Sequence, residues 1–482
     1  MRRHGHPEPS DDDVGHPGEV AEDPLLRVVP GRHMEPDPGA LRKKEDRGDL
    51  AATGTTAAGK RRRGPFGWLQ LLGPGLITGA SDDDPSGIGT YSQVGSRFGY
   101  GLLWTSLFTF PLMAAVQELC ARVALHTGVG LGTSLRRKFP TWLVGVCIFA
   151  LFVANTINAG ADLGAVAAAG SLLTRGAIPQ LWLVAPVAAL ILGLQLFLTY
   201  GAIFRLFKWL TLALFAYVAT GVIVHPDLRQ VALATLVPQL TLDRDHIAGL
   251  VAILGTTISP YLFFWQASSE VDEMRAAGKL TEAQRRGVRR AELRDARADI
   301  FIGMLFSNVV MFFIIMTAGA VLHAHGKTDV QSAEQAAQAL APVAGQWSFV
   351  LFAVGMIGTG LLAMPILTGS AAYAVRDFLG LKGALSDKPA YRPTFYGIMA
   401  LSTVIGMALN LVGVDTMRAL YLTAIINGLV APPILILIVL LGSSRDVMGR
   451  RVSGRVSKTL TWAAVVLMCA AAIGLIVTQA AS

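Results

Sequence analysis

The chain has 482 residues, of which 52% are apolar and 15% are charged. The apolar residues are gathered into stretches of about 20, each long enough to cross a lipid bilayer. This excludes an ordinary soluble domain and predicts an all-α polytopic membrane protein with the bilayer as a partner. The formal net charge of +8 comes without a nucleic-acid-binding motif, so we assign it to membrane anchoring and expect no nucleic-acid partner.

Eleven apolar spans follow an N-terminal segment of a different kind. Residues 1–63 are rich in Pro, Gly and charge and lack apolar periodicity, which predicts a disordered cytoplasmic tail and not a signal peptide. The basic run Lys60 to Arg63 then precedes the first span of a single transmembrane domain, 64–482. The predicted spans are 67–98, 100–125, 140–172, 178–200, 202–224, 246–272, 298–322, 346–375, 393–412, 416–441 and 458–480.

Basic residues fall mainly in the even-numbered connections between these spans. They include Arg136 to Lys138, Arg275 to Arg297 and Arg445 to Lys458, whereas the odd-numbered connections carry only scattered charges such as Arg229. Lys and Arg concentrate on the cytoplasmic side of membrane proteins. The pattern therefore predicts a cytoplasmic N-terminus and a C-terminus outside, in a protein of the cell (inner) membrane.

The first span is interrupted at its centre by polar residues. Asp82, Asp83 and Asp84 are followed there by Pro85 and Gly87. Pro removes a backbone donor and Gly weakens a helix, so the helix is expected to break. Within lipid, a carboxylate and freed carbonyls persist only where protein or a polar cavity satisfies them. This predicts an ion or substrate site; the alternative interpretation is a loop outside the bilayer.

A second span is interrupted at a matching place in the other half of the chain. In the stretch 246–266 the break falls at Thr256 to Pro260. Two Pro-interrupted spans at corresponding positions are typical of a transporter built from inverted repeats, with its site between the breaks. The predicted limits are about 65–225 for repeat one, about 245–441 for repeat two and about 458–480 for an extra helix.

The groups that these breaks offer are all oxygen donors. Neither break contains Cys, Met or His, which are the ligands that copper and zinc favour. A site of carboxylate, hydroxyl and carbonyl oxygens suits Mg²⁺, Ca²⁺ or Mn²⁺, and Mg²⁺ keeps several waters when bound. The candidate metal-binding residues are Asp84, Ser86, Gly87, Ser81, Thr256, Ser259 and Asp83.

Two further groups of polar residues lie near the breaks in the sequence. Asn155, Asn158 and Asp162 of the third span fall on one helical face, where they hold helices together, line a path or support the site. The segment from Glu270 to Asp299 has mixed charge and predicts a solvated helix face. Its first acidic residues also lie where they could draw cations into an inner vestibule.

The two interrupted stretches resemble a known family. GPGLITGASDDDPSG and TTISPYLFFWQ are similar to the site segments of the natural-resistance-associated macrophage protein (NRAMP) family of divalent-metal transporters. The resemblance extends over about residues 65 to 480, including the number and spacing of the spans. It implies an amino-acid-transporter type fold with two inverted five-helix repeats, in which helices 1 and 6 are broken.

The metal-binding motifs of that family are partly kept. Its Asp-Pro-Gly-Asn motif corresponds to the run from Asp84 to Gly87, so the metal-binding Asp carries over to Asp84, and Gly87 stands at the Asn position. Its Met-Pro-His motif corresponds to Ser259-Pro260-Tyr261. The resemblance thus implies a site without the thioether that favours transition metals and without the proton-linked His.

The proton-linked residues of the third span also differ. The Asp-Leu-Ala-Glu run of the family corresponds to Asp162-Leu163-Gly164-Ala165, so the Asp is kept and Ala165 replaces the Glu. These departures resemble those of the NRAMP-related magnesium transporter branch more than those of the manganese and iron carriers. They imply transport without proton coupling.

The sequence therefore predicts a secondary transporter that takes up divalent cations, Mg²⁺ and also Mn²⁺, with no cofactor and no enzymatic activity. A proton-coupled Mn²⁺/Fe²⁺ carrier and a carrier of organic solutes on the same fold are the alternatives within the transporter class. From another class, an intramembrane aspartyl protease would use Asp84 with Asp162, although Gly160 to Asp162 lacks the first glycine of the usual signature. The oligomeric state is not specified by the sequence.

Overall fold

The computed structural model describes residues 74–197, 213–385 and 387–480, and these residues are helical, with no strand among them. The predicted all-α membrane fold is confirmed. The tail 1–63, the basic run before the first span, the beginnings of the first and fifth spans and the end of the fourth lie outside the described residues. The interpretation of the tail as disordered therefore stays a prediction.

The helices of eight or more residues are numbered here in chain order. They are α1 Pro74–Asp82, α2 Pro85–Phe98, α3 Trp104–Thr127, α4 Leu131–Lys138, α5 Thr141–Leu173, α6 Gln180–Phe197, α7 Phe215–Ile223, α8 Leu228–Leu236, α9 Arg244–Thr257, α10 Pro260–Ala276, α11 Arg290–Val321, α12 Ser348–Leu379, α13 Pro393–Leu409, α14 Thr416–Ser443 and α15 Arg455–Ala480. Shorter helices lie in the connections, at Glu282–Arg285, Ala333–Ala337, Ala341–Ala344 and Arg445–Met448.

In the described part of the chain, 8 helices are long and apolar enough to cross a membrane, counting α9 and α10 as one. Helix α13 is apolar but shorter, and α1 and α2 are two short pieces of one interrupted span. The number eleven therefore stays a prediction. Large apolar side chains point away from the protein, such as Trp182 at 76% and Phe197 at 86% exposure. In a membrane protein such side chains face lipid, so the prediction of an integral membrane protein is confirmed.

Both predicted helix breaks are present and share one local structure. Helix α1 ends at Asp82, and α2 begins with Pro85 after the extended residue Asp84. Helix α9 ends at Thr257, and α10 begins with Pro260 after the extended residue Ser259. Pro at the first helical position needs no backbone donor, and it disfavours helical geometry in the residue before it. The two prolines therefore account for both breaks.

The half-helices before the breaks are held by close backbone contacts. A Cβ on Gly79 of α1 would lie only 2.1 Å from the carbonyl oxygen of Gly303 on α11. A Cβ on Gly255 of α9 would lie 2.0 Å from the carbonyl oxygen of Ala424 on α14. Glycine lets membrane helices approach this closely. Helices α11 and α14 thus fix the positions of α1 and α9.

Helix α5 packs against α12, α13 and α14. Its contact with α13 is again made by glycines, since a Cβ on Gly160 would lie 2.8 Å from the carbonyl oxygen of Gly406. Helix α5 also contacts α2. This contact brings the predicted polar face of the third span beside the first break.

Several even-numbered connections meet at one end of the bundle. Arg137 donates two hydrogen bonds to Glu282, at 2.7 and 2.9 Å, and Lys138 lies 2.9 Å from the carboxylate of Asp446. The Arg137 guanidinium holds the pKa of the Glu282 carboxyl below its usual value. Such exposed pairs stabilise by only about 0–1 kcal/mol. They show, however, that basic connections far apart in the sequence share one face.

Candidate metal site

Asp84 stands at the first break with its carboxylate fully buried. Its Oδ1 accepts hydrogen bonds from the backbone N–H of Gly87 and from the hydroxyl of Ser86, both at 2.7 Å. An Asp before a helix satisfies donors that the first turn leaves unpaired, and the positive end of the helix favours its charge. One oxygen of Asp84 is therefore fixed by its own helix.

The other oxygen of Asp84 is shared between two other elements. Its Oδ2 accepts from the amide Nδ2 of Asn158 on α5 at 3.2 Å and from the hydroxyl of Tyr261 on α10 at 3.3 Å. The Tyr261 hydroxyl also lies 3.2 Å from the carbonyl oxygen of Ser81 and has one hydrogen to donate. Both contacts to Oδ2 are at the long end of the hydrogen-bond range, so this oxygen is held loosely.

Each proline frees a carbonyl oxygen one turn before it. Pro85 cannot donate to Ser81, whose carbonyl oxygen instead lies beside the Tyr261 hydroxyl. Pro260 cannot donate to Thr256, whose carbonyl oxygen accepts from the Ser259 hydroxyl at 2.6 Å. The Ser259 hydroxyl also lies 2.8 Å from the carbonyl oxygen of Gly255. Ser259, a candidate ligand, thus binds back to its own helix, and Ser81 contributes a backbone oxygen to the site.

Gly87 leaves a space that is bounded by oxygen atoms of both breaks. The point where a Cβ of residue 87 would lie is 3.2 Å from the Asp82 carbonyl oxygen, 3.4 Å from Thr256 Oγ1 and 3.5 Å from Asp84 Oδ1. The structure therefore brings Asp84, Ser86, Gly87 and Thr256 together. A larger residue at position 87 would occupy this space.

Asp82 and Asp83 are also buried but turn towards α11. The hydroxyl of Ser307 lies 2.6 Å from Asp82 Oδ2 and 3.3 Å from Asp83 Oδ1. The second oxygen of each carboxylate has no hydrogen-bond partner in the described part of the chain. Asp83, a candidate ligand, is thus directed to Ser307 and not grouped with Ser86 and Gly87. No Lys, Arg or His among the described residues forms an ion pair with these aspartates.

Asn158 links Asp84 to two further polar residues. Its Nδ2 lies 3.5 Å from Asp162 Oδ2, and its Oδ1 accepts from Asn427 of α14 at 3.4 Å. Asp84 and Asp162 thus have an amide between them, which is not the shared-proton arrangement of an aspartyl protease. Sequence reasoning missed Asn427 and Ser307. A lone polar residue in an apolar span was the available signal, because such residues usually face the bundle interior.

A chain of buried polar contacts joins α1 to α10. The hydroxyl of Thr78 donates to Gln266 Oε1 at 2.6 Å, and Gln266 Nε2 donates to Glu270 Oε1 at 2.9 Å. Glu270 is only 5% exposed, so the prediction of a solvated face is wrong at this residue. Helix α10 packs here against α1 and α3, which cover it. Glu273, one turn further, is exposed as predicted.

The soft and imidazole ligands stand apart from this site. Cys120, Cys147 and Cys469 are free cysteines within α3, α5 and α15. Across residues 74–197, 213–385 and 387–480, no cluster of three or more His, Cys, Asp or Glu side chains could hold a metal ion. A cation at the breaks would therefore meet one carboxylate together with neutral oxygens. Such a set suits hard cations that are bound and released.

The chain is similar to named transporters along most of its length. It is 28% identical over 412 residues to the divalent metal cation transporter MntH of Chromohalobacter salexigens, which covers 84% of this chain and 89% of that protein. It is 27% identical over 431 residues to the protein of the same name from Deinococcus radiodurans, with coverages of 88% and 93%.

The fold is that of a solved transporter structure. The crystal structure of the Eremococcus coleocola manganese transporter, in complex with an aromatic bis-isothiourea substituted compound, matches with a TM-score of 0.68. The match covers 89% of this chain and 90% of that chain, at 19% sequence identity. At this identity the likeness shows the fold alone.

The family assignment rests on the match of the whole helical region. The sequence model described as natural resistance-associated macrophage protein-like matches residues 75–478. This range includes both breaks, the polar face of α5 and most of helix α15. The chain therefore belongs to the natural resistance-associated macrophage protein-like family, whose members are transporters and not enzymes, as the sequence predicted.

Proposed function

We propose that this protein is a secondary transporter that carries divalent metal cations across the membrane through the site at Asp84. The observation that carries the proposal is the buried Asp84 carboxylate at a helix break, close to Thr256 Oγ1 of the second break. A charged group at membrane depth is costly and persists where it has a function. The names of the MntH relatives support divalent cations as the substrate class.

Within this class we propose Mg²⁺ as the main substrate, with Mn²⁺ also carried. The three heavy atoms nearest the Cβ position of residue 87 are all oxygens, and Ser259 stands where the NRAMP resemblance has a methionine. Hard oxygen ligands favour Mg²⁺ and Mn²⁺ over softer metals. Because Mg²⁺ gives up its waters reluctantly, we propose that it is carried as a partly hydrated ion.

The geometry also supports a route for binding and release. The arriving cation takes Asp84 Oδ2 in place of the two long hydrogen bonds from Asn158 and Tyr261. Tyr261 then keeps the carbonyl oxygen of Ser81 as its acceptor. The C-terminal ends of α1 and α9 point partial negative charge at the same space, which favours a cation. Asp84 Oδ1 stays bonded to α2 throughout.

We propose that the protein lies in the inner membrane of the cell. The basic end of its helix bundle then faces the cytoplasm. The contacts of Arg137 and Lys138 with other basic connections support one common face, and Lys and Arg concentrate on the cytoplasmic side. Repeat one is proposed at about 65–225, repeat two at about 245–441 and the extra helix at about 458–480. Labelling of single cysteines introduced at positions 286 and 329 by a membrane-impermeant reagent tests the orientation; only the cysteine at 329 should react from outside.

The direct test of the function is uptake of Mn²⁺ and Mg²⁺ into proteoliposomes. Asp84→Ala is expected to abolish the uptake of both ions while the purified protein stays monodisperse. Asp446→Ala, which removes an exposed carboxylate, serves as the matched control and should transport normally. Near-normal uptake by folded Asp84→Ala protein would refute the site, and absence of uptake by the wild type would refute the function.

A further inference from the structure

A pocket of about 240 Å³ lies where α3, α11 and the connection between α14 and α15 meet. Apart from the apolar Leu293 and Val452, the pocket is lined by arginines. These are Arg122, Arg290, Arg294, Arg297, Arg450 and Arg451.

The arginines reach this pocket from three segments that are far apart in the sequence. Arg290, Arg294 and Arg297 follow the spacing of one face of α11. Arg450 and Arg451 lie in a helical turn that begins at Gly449, whose φ of +50° is a conformation that other residues rarely adopt. Arginines that only anchor a helix need to reach the membrane surface, whereas these converge on one concave site.

The positive charge of the pocket is only partly compensated. The buried carboxylate of Glu118 accepts from Arg122 Nε and from Arg297 Nη2, each at 3.1 Å. Arg294 lies 3.8 Å from Asp295 in an exposed pair, which contributes little.

Three arginines of the pocket remain without a carboxylate partner. In the described ranges of the chain, Arg290, Arg450 and Arg451 form no ion pair. Like charges gathered in one concavity repel each other and raise the local concentration of anions. The pocket therefore favours an anionic ligand.

We propose that this pocket binds a polyanion that carries phosphate groups. Guanidinium groups bind phosphate oxygens through two parallel hydrogen bonds, a geometry that lysine cannot supply. The phosphates belong either to the headgroup of an acidic lipid, for which basic pockets between membrane helices are suited, or to a free phosphate compound. The site is separate from Asp84 and does not depend on the proposed transport function.

Binding to the purified full-length chain tests the proposal directly. Calorimetry measures the binding of pyrophosphate to the protein in phosphatidylcholine nanodiscs. Native mass spectrometry of the protein in detergent compares the binding of cardiolipin with that of phosphatidylcholine. The wild type is expected to bind at least one of the two phosphate-bearing probes. If pyrophosphate displaces cardiolipin or binds alone, free phosphate compounds can use the pocket. Cardiolipin binding that pyrophosphate does not displace identifies a lipid headgroup as the ligand.

The double variant Arg294→Gln/Arg451→Gln is expected to weaken this binding at least tenfold. Arg286→Gln/Arg445→Gln removes the same charge from outside the pocket and should leave affinity within twofold of the wild type. Arg294→Lys/Arg451→Lys restores the charge and should recover part of the binding, which separates loss of the ligand site from misfolding. The proposal is wrong if the wild type and Arg294→Gln/Arg451→Gln bind the phosphate-bearing probes with equal affinity. It is also wrong if the wild type neither binds pyrophosphate nor prefers cardiolipin to phosphatidylcholine.

Discussion

At the scale of single residues, the two oxygens of Asp84 have different surroundings. Oδ1 is held by two short hydrogen bonds from the first turn of α2, whereas Oδ2 has two long ones from separate helices. The first oxygen fixes the position of the carboxylate, and the second is available for exchange. The sequence alone indicated Asp84 as a candidate ligand. The difference between its two oxygens depends on Asn158 and Tyr261, which only the fold brings close to it.

Gly87→Ala is expected to lower divalent-cation uptake without lowering stability. The added Cβ enters the space bounded by Asp82, Asp84 and Thr256 at 3.2 to 3.5 Å. Alanine also favours helix over glycine by about 1 kcal/mol, which offsets the tight contact. We expect KM for Mn²⁺ to rise several-fold in proteoliposomes. Gly397→Ala, whose Cβ meets nothing within 4 Å, is the control, and equal effects of both changes would contradict the role of this space.

Ser259→Met is expected to shift ion preference from Mg²⁺ towards Mn²⁺ and Cd²⁺. The thioether adds a soft donor, and loss of the Ser259 hydroxyl frees the Thr256 carbonyl oxygen at a cost of about 1 kcal/mol. Competition of each ion against Mn²⁺ uptake measures the shift, which we expect to reach about tenfold against Mg²⁺.

Ser259→Ala separates the two effects of that change, because it loses the hydroxyl without adding sulphur. Its ion preference should stay close to that of the wild type. If Mg²⁺ competes equally well against the wild type and Ser259→Met, or if the wild type ignores millimolar Mg²⁺, the hard-site argument is wrong.

At the scale of helices, the breaks could be located from the sequence, and their partners could not. Pro85 and Pro260 act on their own helices, so local rules predict where α1 and α9 end. The docking of α1 on α11 depends on Gly79 and Gly303, which are 224 positions apart and give no local signal. Long-range packing of this kind positions the residues of the site, and the periodicity of apolar residues in the sequence does not predict it.

Gly79→Ala is expected to destabilise the fold by about 1–3 kcal/mol, the usual cost of overpacking. Its Cβ would lie 2.1 Å from a backbone oxygen of Gly303 that cannot rotate away, so α1 must move from α11. The melting temperature of the purified protein should fall clearly. Gly193→Ala, which meets nothing within 4 Å, should melt like the wild type, and a wild-type melting temperature for Gly79→Ala would disprove the close contact.

At the scale of the whole molecule, composition and charge predicted the membrane fold, because lipid requires apolar spans and basic residues gather on one side. Composition and charge do not show which charged side chains come together in the folded protein. Arg122 of α3, Arg297 of α11 and Arg451 of the connection before α15 are far apart in the sequence, yet line one pocket. Likewise Asp82 and Ser307 meet only in the folded bundle. A charge count cannot distinguish scattered anchors from a site.

The coupling of transport to protons is also a property of the whole molecule. Around Asp84 the described residues place Asn158, Tyr261 and Ser86, none of which carries a proton at neutral pH that it can readily give up. Ala165 stands where the NRAMP resemblance has a glutamate. Asp162 of α5, whose Oδ2 lies 3.5 Å from Asn158 Nδ2, is a further carboxylate beside this group. We therefore propose that transport through this site is not coupled to proton movement.

We accordingly expect uptake to follow the cation gradient and the membrane potential alone. An inside-negative potential of 100 mV is worth about 2.3 kcal/mol per charge, hence about 4.6 kcal/mol for a divalent cation. A potassium diffusion potential of this size should therefore drive strong accumulation of Mn²⁺, while a pH dye inside the vesicles records no matching acidification. Proton entry in fixed proportion to metal would contradict this account. Asp162→Asn would then be the first variant to test, because loss of coupled proton entry in it would identify the carrier of the proton.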